Sequence, residues 1–255
     1  MVHIVCVNCH SGSLCSKGAS LVQIISKNTR ILYNPLLLRE DPTFCFDIDL
    51  WWEKDAVVGS AEGRGTTWFV QTSTLTAALR HYRRGGLLGK LIFDSYFFTG
   101  WEKVRSIQEF NLLNYLRSKG IPVPRPLASR TIREGMIYRA DLLVEKIENA
   151  RNLVDVLLTT SLGAEKYRLI GILVRRLHDA NVCHSDLNIH NILLDVTGKF
   201  WLIDFDKCGC RDGENWKISN LIRLLRSFRK ELSKRQIKWQ ESDWQTLIQG
   251  YYLPN

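Results

Sequence analysis

Residues 184–195 read HSDLNIHNILLD and residues 200–206 read FWLIDFD, with VTGK between them at 196–199. The apolar run Ile192-Leu193-Leu194, a turn over 195–198 and a second apolar run from Phe200 to Phe205 predict a β-hairpin. Just upstream, Tyr167, Ile170, Val174 and Leu177 recur on one face of a buried amphipathic helix over 164–180. Helix, polar loop and hairpin thus follow in order. The loop carries His184, Asp186 and Asn191, the last two five positions apart, and the hairpin runs into Ile203-Asp204-Phe205. Singly, each polar residue has a plain account: Asp186 caps a turn, Asn191 packs locally, Asp204 ends a strand. Jointly, their type, order and spacing point to chemistry.

This order resembles the active site of kinases, where a catalytic Asp precedes a metal-binding Asn by five positions and a second metal-binding Asp ends the next hairpin. Asp186, Asn191 and Asp204 fall on those positions. Phosphoryl transfer puts negative charge on the transferring oxygens, so amide and carboxylate oxygens must hold Mg²⁺ while another carboxylate orients the acceptor hydroxyl. Asp186 suits the last task, Asn191 and Asp204 the first. His184 supports the loop through hydrogen bonds, since the carboxylate two residues on already has the geometry of a base.

The upstream parts of such a site are present. Val57-Val58, GSAEGRG and TTWFV predict two strands joined by a glycine-rich turn at Gly59, Gly63 and Gly65, where backbone N–H groups can approach the phosphates of ATP. Their order, G-x-x-x-G-x-G, is not the protein-kinase one, and an ordinary hairpin turn would read the same way. A third strand over 74–82 runs into the basic segment Arg80, Arg83, Arg84 and Lys90. A helix over 102–119 carries Glu109 toward a partly buried surface, where it needs a cation: Arg105 at i−4, or the phosphate-contacting cation of the third strand. That cation is Lys in most kinases, and here Arg80 stands in its place. Strands over 123–128 and 138–147 follow, and Glu145 and Ile147 join the candidate ATP-binding set. After Asp204 the chain reads Phe205-Asp206-Lys207 instead of Phe-Gly, and no A-P-E follows, which disfavours a protein kinase.

The whole chain fits this frame. Its 255 residues, 45% hydrophobic and 24% charged, make a globular protein and exclude disorder as the main state. A strand-rich first half and a helix-rich second half predict an α+β, protein-kinase-like fold of two lobes sharing a cleft, an N-lobe over 21–148 and a C-lobe over 149–255. Residues 1–20 read as a tail, with the functional chain starting near Leu21 or Val22. Within it Cys6, Cys9 and His10 spell C-x-x-C-H, the spacing of c-type haem attachment, and Cys15 could instead complete a zinc set; a chance match is the plainer reading. Seven scattered cysteines predict a reducing compartment. No apolar run is long enough to span a membrane.

The strings GRGTTWF, LRHYRRGGLLGK, SIQEFNLL, GIPVPRPLA, LHDANVCHSDLNIHNILLD and LIDFDK together resemble the 3-deoxy-D-manno-octulosonic acid (Kdo) kinases of Gram-negative lipopolysaccharide assembly, from about Val22 to the carboxyl end. The resemblance implies ATP and Mg²⁺ as cofactors, the 4-hydroxyl of Kdo on a Kdo–lipid A precursor as acceptor, and a peripheral place at the cytoplasmic face of the inner membrane. A formal charge of +9 suits such a polyanionic acceptor. Residues 211–238 hold nine basic residues against Asp212, Glu214 and Glu231, so Arg223, Arg226, Arg229 and Lys230 are candidates to dock on an anionic membrane surface. A solvated helix face is the plainer account. The alternatives are a heptose kinase of the same superfamily, an aminoglycoside-type phosphotransferase, whose loop usually has Gly where this chain has Ser185, and a nucleic-acid-binding module, which would leave Asp186, Asn191 and Asp204 as coincidence.

Overall fold

The computed structural model describes residues 3–7 as backbone, and residues 21–63, 65–83 and 94–253 in full. Contacts divide the chain into one unit of Met1–Tyr115 with Pro124–Lys146 and a second of Leu116–Val123 with Ile147–Asn255.

In the first unit the elements are β1 (His3–Val7), β2 (Leu21–Ile25), β3 (Thr29–Tyr33), α1 (Ile48–Glu53), β4 (Val57–Ala61), β5 (Thr67–Gln71), β6 (Thr76–His81), β7 (Tyr96–Phe97), α2 (Arg105–Ser118), β8 (Pro126–Glu134) and β9 (Ile137–Glu145). The strands form an antiparallel sheet in the order β1-β2-β3-β8-β9-β6-β5-β4, with β7 on β9. Neighbouring strand residues face opposite sides. Ile31, Leu79 and Leu143 therefore enter one core with Trp51 of α1, and Leu32, Leu142 and Tyr138 enter another with Ile107 and Phe110 of α2.

Coverage of both faces explains why β2 and β3 escape the sequence reading, whose first strand is at Val57. Ile31 and Leu32 are adjacent and both buried, so the alternation that marks a half-exposed strand is missing. The glycine-rich turn also needs correction. Gly59 lies within β4, at a bulge after Val57 with φ +156°, and only Gly63 and Gly65 lie in the connection to β5. The helix expected over 102–119 is split, because Val104 is extended between a 3-10 turn at Trp101–Lys103 and α2. The amino-terminal stretch supplies β1, paired with β2. Cys9, His10, Cys15, Arg84 and Lys90 lie outside the described residues.

The second unit is mainly helical: β10 (Ala150–Asn152), α3 (Leu153–Thr159), α4 (Ala164–Asp179), β11 (Val182–Cys183), a 3-10 turn (Ile189–Asn191), β12 (Ile192–Asp195), β13 (Phe200–Leu202), β14 (Gly209–Cys210), α5 (Asn215–Arg235) and α6 (Glu241–Tyr252). Its sheets are small, β10-β12-β13 and β11-β14. Asn152 caps α3 by accepting from Asp155 N–H at 3.0 Å. Helices α4 and α6 touch backbone to backbone: a Cβ on Gly171 would stand 2.0 Å from the Leu247 carbonyl oxygen, and one on Gly250 would stand 2.2 Å from that of Arg168. A strand-rich first unit and a helical second unit make the α+β, kinase-like fold that the sequence predicts.

Candidate active site

The loop between β11 and β12 is built around a buried histidine. His184 accepts from Asp186 N–H on Nδ1 at 3.2 Å, so its proton sits on Nε2 and is donated to the Ile203 carbonyl at 3.0 Å. Burial lowers the pKa of His184, with the nearby carboxylates of Asp204 and Asp186 opposing, so the ring stays neutral. It packs against Phe205 at 4.8 Å between ring centres, with the ring planes tilted by 55°. One neutral ring thereby ties the start of the loop to the peptide just before Asp204.

The rest of the loop is tied by amides. Asn191 Nδ2 donates to the Asp186 carbonyl at 3.0 Å, as does Asn188 Nδ2 at 3.0 Å, and Ile203 N–H donates to the Asn191 carbonyl at 3.0 Å. With its NH₂ committed inward, Asn191 keeps Oδ1 as its side-chain acceptor. Asp204 takes a left-handed conformation, φ +62°, uncommon outside glycine, which turns the chain two residues after β13. The carboxylates of Asp186 and Asp204 are exposed, and Arg223 Nη1 lies 3.4 Å from Asp186 Oδ1. Ser185 donates to the Asp206 carbonyl at 2.9 Å, so the residue where related loops carry Gly holds the chain beyond Asp204.

Sequence reasoning passed over Asn220. Its Oδ1 accepts from His184 N–H at 3.2 Å, and its Nδ2 donates to the His184 carbonyl at 3.1 Å, so α5 holds the two peptide groups that flank His184. A signal was present, because Asn220 lies four residues after Trp216 and four before Leu224 on the buried stripe of α5. Glu231 lies on that stripe too. Its burial would raise its pKa, yet the hydrogen bond from His190 and the positive charges of His190, Arg235 and Lys230 outweigh this and keep it ionised.

In the first unit Arg80 sits on β6, between Thr67 of β5 and Leu142 of β9. Its guanidinium lies 2.6 Å from a carboxylate oxygen of Glu109, which is buried and also accepts from the Tyr82 hydroxyl. Arg105, the local alternative, rests over the rings of Tyr96 and Tyr82 at 4.6 and 5.3 Å. Arg83 lies past the end of β6 against Gly65, where a Cβ would stand 2.8 Å from its Cδ. The Glu145 carboxylate is taken up by Arg125, through Nη2 at 2.9 Å and the backbone N–H at 3.0 Å. Ile147 begins the second unit and is half-buried.

The four docking candidates on α5, Arg223, Arg226, Arg229 and Lys230, do not act as one group. Arg229 makes a two-pronged ion pair with Glu241 at 2.7 and 3.0 Å, whereas Arg223, Arg226 and Lys230 line a cavity of about 550 Å³ together with Asp186.

Comparison with known proteins points to one enzyme family. A protein of Photobacterium profundum named 3-deoxy-D-manno-octulosonic acid kinase is 57% identical over 228 residues, covering 89% of this chain and 97% of the relative. Proteins of the same name from Vibrio cholerae serotype O1 and Actinobacillus succinogenes are 56% and 47% identical, covering 82% and 91% of this chain and 89% and 99% of their own lengths. Residues 48–251, which hold Asp186, Asn191, Asp204, Arg80 and Glu109, match the lipopolysaccharide kinase (Kdo/WaaP) family, and the chain belongs to that family.

Proposed function

We propose that this chain transfers the γ-phosphoryl group of ATP to the 4-hydroxyl of a Kdo residue on a lipid A precursor, at the cytoplasmic face of the inner membrane. The observation that carries the reading is the stitched loop of the second unit, where Asn191, Ile203 and His184 bind Asp186 and the chain before Asp204 into one hydrogen-bonded cluster. The names of the relatives favour Kdo over heptose or an antibiotic as acceptor.

Asp186 orients the acceptor hydroxyl and takes its proton as the acceptor oxygen bonds to the γ-phosphorus; the bond to the bridging oxygen breaks and ADP leaves with the electron pair. Asn191 Oδ1 and the Asp204 carboxylate fit Mg²⁺, as hard oxygen donors on an exposed edge. Among the described residues no three His, Cys, Asp or Glu side chains gather into a cage, and Mg²⁺ commonly takes one or two protein oxygens and completes its shell with phosphates and water. Bound there, the ion would offset the charge on the transferring oxygens. In the first unit, Arg80 held by Glu109 contacts the ATP phosphates, the backbone near Gly59, Gly63 and Gly65 covers them, and the strand end near Glu145 and Ile147 receives the base. No described helix is long and apolar enough to cross a membrane, which suits a peripheral enzyme reaching a glycolipid.

The test offers radiolabelled ATP with Kdo–lipid A precursor beside a heptosylated acceptor and a nucleic-acid ligand. Label on the Kdo 4-hydroxyl, lost in Asp186→Asn, is expected. Label confined to heptose, or equal turnover by Asp186→Asn, would overturn the reading.

A further inference from the structure

The cavity beside Asp186 has one wall made by a single helical stripe. Ser219, Arg223, Arg226 and Lys230 follow each other at four-, three- and four-residue steps along α5, so they share a face. Opposite them stand Asp186, Asn188 and His190 of the loop. The charges are unevenly committed. Arg223 is on Asp186, and His190 is on Glu231 at 3.2 Å, whereas Arg226 and Lys230 have no ion-pair partner among the described residues. Two exposed cations outside any ion pair thus line a cavity of about 550 Å³ that also holds the carboxylate assigned to the acceptor hydroxyl.

Resting on the kinase reading above, we infer that Arg226 and Lys230 bind the anionic groups of the acceptor: Arg226 the carboxylate of the sugar that is phosphorylated, and Lys230 a second anion farther along the same glycan. Spacing sets this division. Along a helix axis Arg226 stands about 4.5 Å beyond Arg223, and Lys230 about 10 Å beyond it. Arg223 marks the position of Asp186 and hence of the reacting hydroxyl, so Arg226 lies one sugar ring from the chemistry and Lys230 lies about two. Arg suits the first place, because its planar fork matches a carboxylate in two-point contact, and Lys suits the second as a mobile point charge. The acidic groups Asp186 and Glu231 also line the cavity. Asp186 is turned to Arg223, and Glu231 is held by His190 and Arg235. Three of the four residues expected to dock on a membrane thereby become part of the acceptor site or its border.

The test uses the full chain, wild type and R226Q, K230Q and the double variant, with three acceptors: Kdo–lipid A precursor, its Kdo methyl ester, and the free Kdo monosaccharide, which has the carboxylate but no phosphate or lipid. Binding of each is also measured calorimetrically without ATP. R226Q should raise the KM of wild type for the precursor and for free Kdo by on the order of 10- to 100-fold, the loss expected for one charge-assisted contact. It should also erase the wild-type preference for acid over ester. K230Q should act on the precursor and spare free Kdo, and the KM for ATP should stay put in all variants. Undiminished binding and turnover of the precursor by the double variant would overturn the inference and leave the kinase reading intact. Wild type that binds free Kdo through Arg226, yet transfers no phosphate to any acceptor, would overturn the kinase reading and leave the anion wall standing. Equal loss on acid and ester would refute the carboxylate assignment.

Discussion

The loop of the second unit that carries Asp186 and the Arg80–Glu109 pair of the first are built on opposite principles. In the loop, the side chains proposed to do chemistry are positioned by backbone. Asp186 and Asn191 share one hydrogen-bonded turn, and the neutral ring of His184 and the amide of Asn220 fix its peptides from within. In the cation site one side chain is positioned by another across the fold, Arg80 of β6 by Glu109 of α2, with the Tyr82 hydroxyl on the same oxygen. Local stitching makes the loop readable as spacing, whereas a long-range ion pair leaves only a choice of arginines. It also makes the two sites break differently.

The largest expected effects test the loop. Asp204→Asn and Asn191→Ala should each lower kcat by about 10³-fold or more, since electrostatic contacts to developing charge commonly contribute 10²–10³ each. Asp204→Asn should melt like wild type, because its carboxylate is exposed, whereas Asn191→Ala also loses the half-buried amide's bond to the Asp186 carbonyl and should melt slightly lower. Near-normal turnover with a normal melting curve would remove the metal assignment.

Next in size is the loop's support. His184→Ala leaves Asp186 N–H and the Ile203 carbonyl without the ring that pairs them, at about 1–3 kcal/mol per unsatisfied buried group. A loss of about 3 kcal/mol in denaturant unfolding is expected, together with lower kcat. Stability loss without a change in kcat would mean that the ring braces the fold and not the loop.

Acid should strike the same unit. Burial pushes the pKa of His178, at 2.8 Å from the Tyr251 hydroxyl, down to about 4 from an ordinary 6.5. The unfolded chain therefore binds a proton below pH 6.5 that the folded chain refuses until about pH 4, so stability is full above 6.5 and falls as pH drops through that window. At 1.36 kcal/mol per pKa unit the loss approaches about 3 kcal/mol, and His184 adds to it with the same sign. His81 of the first unit, raised by its bond to Asp141, works the other way and loses its contribution as pH rises. His178→Gln should flatten the acid limb of an unfolding profile, and an unchanged limb would show that the ring is not the titrating group.

The cation site should respond more mildly. Arg80→Ala is expected to raise the KM for ATP by on the order of 10- to 100-fold, as a lost charge-assisted contact. Glu109→Gln should reproduce part of that, since it keeps a bond to Tyr82 and loses the charge that holds Arg80. If Arg83→Ala carries the ATP defect instead, the phosphate contact belongs beyond the end of β6.

Legibility follows the same division. Asp186, Asn191 and Asp204 are readable because a short loop and a hairpin fix their separation in the chain, and Glu109 because an acid on the inner side of a helix needs a partner. Asn220 lies 36 residues from His184, inside a helix whose charges draw the eye to its outer face. Only a polar residue on the stripe of Trp216, Leu224 and Phe228 betrays it. Gly59 reads as part of the turn from its neighbours alone, whereas the bulge that places it in β4 depends on pairing with β5. Arg223, Arg226, Arg229 and Lys230 of α5 look equivalent as long as charge is counted along the chain and not around the helix.

The smallest expected effect separates those four. Consecutive residues stand about 100° apart around a helix, so Arg229, about 100° from Lys230 and about 60° from Arg226, lies off to one side of the stripe that ends in Lys230. There it meets Glu241, at the first turn of α6, in an exposed two-pronged pair. Exposed pairs contribute little and are screened by salt, so Arg229→Gln should leave the melting temperature, the KM for acceptor and the salt response of the enzyme at wild-type values. R226Q, one turn away, should change the KM strongly in the same buffers. An enzyme whose use of a membrane-embedded acceptor falls with Arg229→Gln, and with rising salt, while its use of free Kdo is untouched, would place a membrane-docking edge on the outer face of α5. The helix would then serve two anions on two faces, the sugar acid inside the cavity and the lipid surface outside it.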